Sequence, residues 1–445
     1  LKSVLSELKL CLVPGKRAHD DMMRPMCRHL RHASRPSVAL AFPATSRSRF
    51  QSSSSQTVAD AHLHDGEGQR RVWRWGCGVS NLPELVQNFE GVTAAACGSN
   101  HSAFVSDGLL HTFGSNTDQQ LGRATTESTD PAPGLVDVRD GDGRRLRVAS
   151  VALGGRHAAA VTQGGLLWTW GWAGSMWHGA GAIGLGTRGS FGTPQVVAQF
   201  AEQGEAVRQV ACGDLHTLVL TASGRVFSTG RGQFGRLGRG SISDELEFEE
   251  LDYFRNYWGS ILSPGKVDIV RVDAGHSFSA CLSAAGELWV WGKNDCGQLG
   301  LGSGEMQHRD SHAKYPVLMR SLAMEGQRIV DFACGEDHVI ALSSSGVIYE
   351  WGNQQFLEPT PVTLQSRYSS SVGEMRRVVA GKGFSCAVTN EGQLYTWGSR
   401  SSGCLVTETV SECVSLPTPV SPEVFGHRKV VDVAACGSRC LAVTE

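Results

Sequence analysis

Residues 333 to 352 read ACGEDHVIALSSSGVIYEWG, a phrase that begins with a small residue, Gly335, two variable residues and His338, and ends with Trp351-Gly352. The opening phrase occurs seven times along the chain, at Gly98/His101, Gly154/His157, Gly213/His216, Gly275/Phe278, Gly335/His338, Gly381/Phe384 and Gly437/Cys440. Six copies lead to the closing phrase or a variant of it, at Phe113-Gly114, Trp170-Gly171, Thr229-Gly230, Trp291-Gly292, Trp351-Gly352 and Trp397-Gly398. Repetition about every 45 to 60 residues in strand-forming sequence is typical of a β-propeller with one repeat per blade, so the sequence predicts an all-β fold.

The seventh copy has no closing phrase of its own. Only a short run to Glu445 follows Gly437, whereas the segment from Arg71 to Gly76 reads RVWRWG and carries a Trp-Gly pair. A strand from this segment would complete the last blade, so that neither terminus leaves an unpaired sheet edge. We therefore predict a seven-bladed β-propeller over residues 68–445, closed by an N-terminal strand that completes the last blade.

The repeated glycines and histidines are interpreted as structural residues. Glycine permits positive φ and close backbone approach where inner strands crowd a central channel. The four repeat histidines would stand at equivalent places round one ring, too far apart to hold a single metal ion about 2 Å from each ligand. Because Phe replaces this His in two copies and Cys in one, we expect a packing and hydrogen-bonding role. No catalytic residue, cofactor or metal is predicted.

Several motifs resemble the repeats of the regulator of chromosome condensation family, whose fold is a seven-bladed propeller. The clearest are ACGDLH from Ala211 to His216, ACGEDH from Ala333 to His338, and WGKNDCGQLG from Trp291 to Gly300. The resemblance covers nearly the whole chain after residue 67. The chain departs from the pattern in the fifth repeat, where Trp351-Gly352 leads into Asn-Gln-Gln-Phe with no Gly-x-Leu-Gly element.

Cysteine usage indicates a reducing environment. The 13 cysteines include no Cys-x-x-Cys pair, and four of them occupy the same repeat position before Gly: Cys97, Cys212, Cys334 and Cys436. A residue type that recurs in this way is most simply a small buried hydrophobe. Neither disulfides nor zinc sites are predicted.

The first 58 residues differ in composition from the rest. They contain ten Lys or Arg against three acids, and no acid lies between Met22 and Val58. This composition predicts a mitochondrial transit peptide within an N-terminal extension of residues 1–67, cleaved near Phe50, with a disordered basic arm as the alternative. Since the chain begins with Leu1, we expect the initiator to be Met22, Met23 or Met26.

The chain beyond residue 58 is acidic. Of the 41 basic and 43 acidic residues, 31 and 40 lie after residue 58, a net charge of −9. An acidic ring is a poor general ligand for phosphate backbones. Direct nucleic-acid binding is therefore not expected, although Arg144–Arg147 and Arg376–Arg377 are local basic clusters that would be the RNA contacts if there were any. No apolar run approaches the roughly 18 residues that span a bilayer.

The main candidate for specific binding is an insertion at about residues 239–265. Its apolar residues Phe248, Leu251, Phe254 and Trp258 have helical spacing, which predicts a short amphipathic element projecting from a blade. Acids beside aromatics are typical of interface anchors, although the aromatics would equally serve to pack the insertion onto the propeller. The candidate partner contacts are Glu245, Glu249, Asp252, Tyr253, Phe254, Tyr257 and Trp258. A second candidate is the loop from Trp172 to Phe191, with Trp177 and His178.

Three function classes follow from these observations. The first is a non-enzymatic scaffold in the mitochondrial matrix or on the matrix face of the inner membrane, binding subunits of a respiratory-chain or ribosome complex and reaching the membrane only through partners. The second, implied by the family resemblance, is guanine nucleotide exchange on a small GTPase, which the nuclear member performs by pushing a loop into the phosphate and magnesium site. The third, implied by mitochondrial relatives, is RNA-associated ribosome assembly. Fold alone does not choose among them.

Overall fold

The computed structural model describes residues 70–76, 79–175, 179–255, 257–260, 263–302, 312–320, 326–363, 373–406 and 413–445. The predicted N-terminal extension, with its targeting signal and initiator, lies outside these residues. Within them, seven antiparallel sheets of four strands each form the blades of a propeller. This confirms the all-β, seven-bladed architecture predicted from the repeats.

Each blade is named by its order in the chain, and its strands are given from the central channel outwards. Blade 1 has β3 (Val92–Cys97), β4 (His101–Ser106), β5 (Leu109–Ser115) and β6 (Thr129–Leu135); blade 2 has β7 (Val148–Leu153), β8 (His157–Thr162), β9 (Leu167–Gly171) and β12 (Phe191–Val196). Blade 3 has β13 (Val207–Cys212), β14 (His216–Thr221), β15 (Val226–Gly230) and β16 (Glu245–Glu250); blade 4 has β19 (Ile269–Ala274), β20 (Phe278–Ser283), β21 (Leu288–Lys293) and β22 (His312–Leu318). Blade 5 has β23 (Ile329–Cys334), β24 (His338–Ser343), β25 (Ile348–Gly352) and β26 (Phe356–Pro361); blade 6 has β27 (Met375–Ala380), β28 (Phe384–Thr389), β29 (Leu394–Ser399) and β30 (Cys413–Pro419).

Blade 7 is built from both ends of the repeat region. Its inner strands are β31 (Val430–Cys436) and β32 (Arg439–Thr444), and its outer strands are β1 (Arg71–Gly76) and β2 (Ser80–Leu85). Strands β1 and β32 pair in register from Arg71 with Thr444 to Gly76 with Arg439. The strand that the seventh repeat lacks is therefore supplied by the RVWRWG segment.

The remaining elements connect these strands. They are the helix α1 (Ala198–Glu202), the hairpins β10 (Gly174–Ser175) with β11 (Gly179–Ala180) and β17 (Tyr257–Ser260) with β18 (Ser263–Gly265), and the 3-10 turns Gln233–Gly235, Asp252–Phe254, Arg400–Ser402 and Pro422–Phe425. No helix in the described part of the chain has the length and apolarity to cross a membrane.

The tryptophans of the Trp-Gly phrase fasten neighbouring blades together. Their buried indole N–H groups donate to backbone carbonyls of the preceding blade: Trp170 to Gln120 at 2.9 Å, Trp291 to Arg236 at 2.9 Å, Trp351 to Gln298 at 3.0 Å and Trp75 to Cys404 at 2.9 Å. Three of these carbonyls belong to the Gly-x-Leu-Gly element, which explains why that element recurs. Each indole thus fills a blade boundary and satisfies its polar atom there.

Blade 5 lacks the Gly-x-Leu-Gly element, so a different group accepts the hydrogen bond from the tryptophan of the next blade. Trp397 of blade 6 donates its indole N–H to the Glu350 carboxylate at 2.8 Å, and Ser385 donates its hydroxyl to the same carboxylate at 2.7 Å. A side chain on β25 therefore replaces the missing loop carbonyl.

Three of the four repeat histidines hydrogen-bond to the next blade. All four are buried, and Nε2 lies at hydrogen-bond distance from a hydroxyl in three of them: His157 at 2.8 Å from Thr217, His216 at 2.9 Å from Ser279 and His338 at 3.0 Å from Ser385. Burial holds the pKa of His101 and that of His157 at about 3, so these rings are neutral.

The predicted amphipathic element at residues 239–265 is wrong in its first part. Residues Glu245–Glu250 form β16, the ordinary outer strand of blade 3, paired with β15. Phe248 is buried because alternation along a strand, and not a helical face, directs it inwards, whereas Leu251, just past the strand, is buried in a different core cluster, with Trp289 and Trp291. The added segment is the 3-10 turn Asp252–Phe254 together with the hairpin of β17 and β18.

Candidate binding face at the channel mouth

The seven Gly-x-x-His turns meet at one end of the central channel. Each turn joins the innermost strand of a blade to the second strand, and together they line a cavity of about 410 Å³. Because successive strands are antiparallel, the connections between third and fourth strands lie on the same face of the propeller. We call this face the mouth face and its counterpart the opposite face.

The backbone of the turns forms a ring of hydrogen bonds round the mouth. The residue after each repeat glycine donates its N–H to a carbonyl of the next blade at six boundaries: Ser99 to Gly154, Gly155 to Asp214, Asp214 to His276, His276 to Glu336, Glu336 to Gly381 and Lys382 to Gly437, at 2.8 to 3.3 Å. This close approach requires glycine. A Cβ on Gly213 would lie 2.1 Å from the His216 ring and 2.6 Å from the Gly275 carbonyl oxygen.

Charged side chains stand in the same ring. The His276 imidazole lies 3.5 Å from the Asp214 carboxylate, and the Lys382 ammonium lies 3.1 Å from the Glu336 carboxylate. Arg439 completes the lining at blade 7. The mouth is therefore polar, with acids at blades 3 and 5 and cations at blades 6 and 7.

A β-hairpin extends the mouth face at blade 2. Strands β10 and β11 pair between the third and fourth strands of that blade, and Gly181 donates its N–H to the Ala173 carbonyl at 2.8 Å to close the base. The hairpin lies within the second candidate loop, Trp172 to Phe191. Trp177 and His178, named from the sequence, lie outside the described residues.

Two partly exposed aromatic side chains flank the mouth. The Arg156 guanidinium sits over the Trp172 ring at 5.7 Å and pairs with Asp118 at 3.8 Å. Phe234 lies between the cations of Arg236, at 5.7 Å, and Lys293, at 5.5 Å. Phe234 has φ of 64°, an unusual conformation for a bulky residue, which marks this loop as conformationally strained. Sequence gave no signal for this residue.

The predicted contact set of the insertion does not form one exposed cluster. Glu245 and Glu249 pair with Arg239 at 2.9 and 3.8 Å, and Phe254, which is only 3% exposed, packs with Trp289 and Trp291. Tyr253 is partly buried against Trp289. For Phe254 the packing alternative is correct, because its ring belongs to the boundary between blades 3 and 4.

The remaining members of that set lie away from the mouth. Asp252 is exposed, in the connection from the outer strand of blade 3 to the inner strand of blade 4, which places it on the opposite face. The side chains of Tyr257 and Trp258 lie outside what the structure describes. The set therefore remains a prediction for Asp252, Tyr257 and Trp258.

Three of the five arginines in the basic clusters that sequence singled out as RNA contacts are paired with acids. Arg144 lies 3.7 Å from Asp142, and Arg145 lies 3.0 Å from Asp137. Arg377 pairs with Asp432 at 3.3 Å, and Arg376 bonds the Val431 carbonyl. These pairs reduce the local positive potential that phosphate binding would use.

The channel cysteines are protonated thiols. Cys97, Cys212, Cys334 and Cys436 are free, and burial raises the pKa of Cys212 and Cys436 to about 12 and that of Cys97 and Cys334 further. Because the thiolate is the nucleophile and the metal ligand, these residues behave as small hydrophobes.

One described group has ligand atoms close enough to share a metal ion. The side-chain ligand atoms of Asp295, Cys296 and Asp337 lie within 4.8 Å of one another on the mouth face. The Lys293 ammonium, however, lies 2.7 Å from the Asp295 carboxylate and lowers the pKa of that carboxyl by hydrogen bonding and charge, although burial opposes the shift. The Lys293 ammonium therefore already occupies the place of a cation beside Asp295.

Known proteins share this sequence pattern and fold. Residues 63–442 match the family model of the RCC1-like domain. The ultraviolet-B receptor UVR8 of Arabidopsis thaliana is 30% identical over 80% of this chain and 75% of its own, and the mitochondrial RCC1 domain-containing protein RUG3 of the same plant is 27% identical over 70% and 66%. The structure of Prp20p from Saccharomyces cerevisiae superposes with a TM-score of 0.68 at 20% identity, over 84% of this chain and 91% of that one. Because the family model spans most of the chain, including every described blade, the protein belongs to the RCC1-like domain family.

Proposed function

We propose that this protein is a non-enzymatic binding platform that engages a partner protein through its mouth face. The observation that carries the proposal is the β10–β11 hairpin, which lies on the same face of the propeller as the charged turns of the mouth. Loops and hairpins on a rigid scaffold commonly carry binding, because the scaffold removes the entropic cost of ordering them. The strained Phe234 and the Trp172–Arg156 pair supply aromatic and cationic anchors of the type found at interface hot spots.

The proposed location is the mitochondrion, in the matrix or on the matrix face of the inner membrane. Support comes from the acid-free, Arg-rich extension and from the likeness to the mitochondrial protein RUG3. The proposed partners are subunits of a large complex, of the respiratory chain or the mitochondrial ribosome. An acidic repeat region with neutralised basic clusters favours association with RNA only through such proteins.

Affinity capture from isolated mitochondria tests this proposal when two variants are compared with the parent chain. In the first, residues 175–179 of the hairpin are replaced by Asn-Gly, a two-residue turn that suits a tight hairpin. In the second, the same dipeptide replaces residues 140–144, an exposed loop on the opposite face between Arg139 and Arg145. Stoichiometric subunits that are lost only from the first variant support the proposal. The proposal is wrong if the parent captures nothing above background, or if the second variant alone loses its partners.

Guanine nucleotide exchange on a small GTPase is the second candidate. The same hairpin favours it, since exchange by the nuclear family member uses a loop pushed into the GTPase. The similar structure of Prp20p was described together with its binding to Gsp1p and histones. A matrix GTPase loaded with fluorescent GDP tests the candidate. Release that is accelerated by the parent chain and by the 140–144 variant, but not by the hairpin variant, supports exchange, whereas release at the intrinsic rate with all three contradicts it.

A further inference from the structure

The boundary between blades 7 and 1 differs from the other six boundaries of the mouth. Among the described turns, no bond of the kind that closes the other boundaries joins Ser438 to blade 1. The cause lies in the turn itself. Cys436 pairs directly with Arg439, so that Gly437 and Ser438 form a two-residue turn, and Gly437 adopts φ of 54°. In the other turns the residue before the repeat glycine pairs with the residue after the histidine position, as Cys334 pairs with Val339, so that four residues form the turn.

The tighter turn places Arg439 in the lining of the mouth cavity, whereas Arg156, the arginine at the equivalent repeat position of blade 2, is not part of that lining and pairs with Asp118. Arg439 lines the cavity, and its charge acts on two buried side chains. Burial lowers the pKa of His101 and Arg439 adds to that shift, whereas burial raises the pKa of Cys97 and Arg439 opposes that shift. Within the described part of the chain its guanidinium has no carboxylate within 4 Å and no hydrogen bond. Lys382, the other cation that lines the cavity, is paired with Glu336, and the His276 ring contacts Asp214.

Further donors surround this guanidinium. Ser99, Asn100 and Ser438 line the same side of the cavity. Their side chains make no hydrogen bond to another described residue, and all three are at least partly exposed. Two hydroxyls, one amide and a planar guanidinium fork therefore face a cavity of about 410 Å³ with unused donor capacity. That volume lies within the range of roughly 300–1,000 Å³ typical of small-molecule sites.

We infer that the boundary between blades 7 and 1 is a binding site for an oxyanion, a carboxylate or phosphate group of a small molecule, held by Arg439 with Ser99, Asn100 and Ser438. A guanidinium matches either group because its parallel N–H bonds meet two oxygens at once. The acids Asp214 and Glu336 stand on the other side of the ring, at blades 3 and 5. Their negative charges repel the anionic group of the ligand, which therefore binds on the Arg439 side. The rest of the ligand can then be polar or cationic. This inference goes beyond protein binding and does not depend on it.

Isothermal titration calorimetry of the full chain with inorganic phosphate, and separately with succinate, tests the inference at constant ionic strength set by chloride. We expect saturable binding of one or both anions. Binding of phosphate alone, or of succinate alone, identifies which group the site prefers. The inference is overturned if neither anion gives saturable heat up to high millimolar concentration.

Substitutions at Arg439 locate the site. Arg439→Gln is expected to weaken binding at least tenfold, and Arg439→Lys, which keeps the charge and loses the fork, several-fold. Arg208→Gln, which removes an exposed arginine of β13 near the end of that strand that lies away from the mouth, is the matched control and should bind as the parent does. If Arg439→Gln unfolds too readily to be titrated, Arg439→Lys and Ser438→Ala decide. Parent-like affinity in the Arg439 variants, or equal weakening by Arg208→Gln, rejects the site.

Discussion

His157 and Thr217 form a hydrogen bond across the boundary of blades 2 and 3, with 2.8 Å between Nε2 and Oγ1. The Thr217 hydroxyl donates its own proton to the Ala182 carbonyl at 2.6 Å, so it must accept from His157, and the ring is the tautomer protonated on Nε2. Ser279 repeats this arrangement with His216 and the Arg236 carbonyl. Each relay joins three polar groups at a boundary that is otherwise apolar.

The relay explains why some repeats carry Phe in place of His. Each hydrogen-bonded repeat His binds the residue that directly follows the repeat position in the next blade: Thr217, Ser279 or Ser385. The residue at that position is Val339 in the blade after Phe278 and Leu441 in the blade after Phe384. The exception is His101, whose counterpart is Ala158 and whose two ring nitrogens have no hydroxyl partner.

Ala158→Ser should therefore stabilise the protein. A serine hydroxyl at this position can accept from His101 in the way that Thr217 accepts from His157, which is worth about 1 kcal/mol in the free energy of unfolding. Urea unfolding measures the change. The control is Ala160→Ser, which adds the same hydroxyl to another fully buried residue of the same strand. Equal destabilisation by both substitutions would show that His101 does not use the hydroxyl.

Thr217→Val should destabilise the protein by about 1–3 kcal/mol, because it leaves a buried donor on His157 unpaired. Adding His157→Phe recreates the apolar pair that the chain itself uses at Phe278 and Val339. The double variant should lose less stability than the sum of the single variants, with a coupling of about 1 kcal/mol. Strict additivity in the unfolding free energies would contradict the relay.

Glu350→Ala should cost about 2–3 kcal/mol of unfolding free energy. Its carboxylate accepts from both Trp397 and Ser385, and truncation leaves an indole N–H and a hydroxyl unpaired at a buried boundary. Glu350→Gln keeps an acceptor oxygen and should cost less. Glu358→Ala, at an exposed acid of the same blade, should change stability by no more than about 0.5 kcal/mol. A Glu350→Ala effect as small as that of Glu358→Ala would mean that the Trp397 bond carries no stability.

Stability should fall as pH drops below about 6.5. Burial holds the pKa of His101 and of His157 at about 3 in the folded state, and it lowers the pKa of His216 and His338 as well. The histidines of the unfolded chain bind protons from about pH 6.5 downwards, whereas those of the folded chain do not. Each histidine therefore lowers the free energy of unfolding by up to about 1.4 kcal/mol per pH unit until the pH reaches its folded pKa.

Urea unfolding between pH 7.5 and 5 measures this dependence. The double variant His157→Phe/Thr217→Val lacks one of the titrating rings, so the slope of unfolding free energy against pH should decrease by about one proton. An unchanged slope would show that His157 titrates equally in both states.

The blades follow from the sequence because their signals are local and repeated. Gly213 can be recognised from the sequence because two backbones meet at it, and Trp351 because a tryptophan recurs at the equivalent position of five of the seven blades. The role of Glu350 could not be foreseen, since it depends on which side chain of β25 reaches into the boundary left by a missing loop. The helical spacing of Phe248, Leu251 and Phe254 was misleading, because a strand followed by a 3-10 turn directs the same residues inwards.

The candidate site depends on relationships that one repeat does not reveal. The position of Arg439 depends on the two-residue turn at Gly437, which the sequence does not reveal, because the spacing from Gly437 to Cys440 equals that of the other six repeats and only the strand register differs. The sequence does contain the glycines of the β10–β11 hairpin, but their spacing is too irregular to separate a hairpin from a loop. The positive φ of Phe234 has no sequence signature, since glycine is the usual residue there.

The central claim is that a partner protein binds the mouth face. Hydrogen–deuterium exchange of the full chain, free and bound to the partner recovered by affinity capture, tests it most directly. The account predicts slower exchange on binding in the Gly-x-x-His turns and in the connection from Trp172 to Phe191, with no change from Asp252 to Asp268 or from Asp140 to Arg144. Protection confined to those opposite-face segments, with unchanged exchange at the mouth, would contradict it.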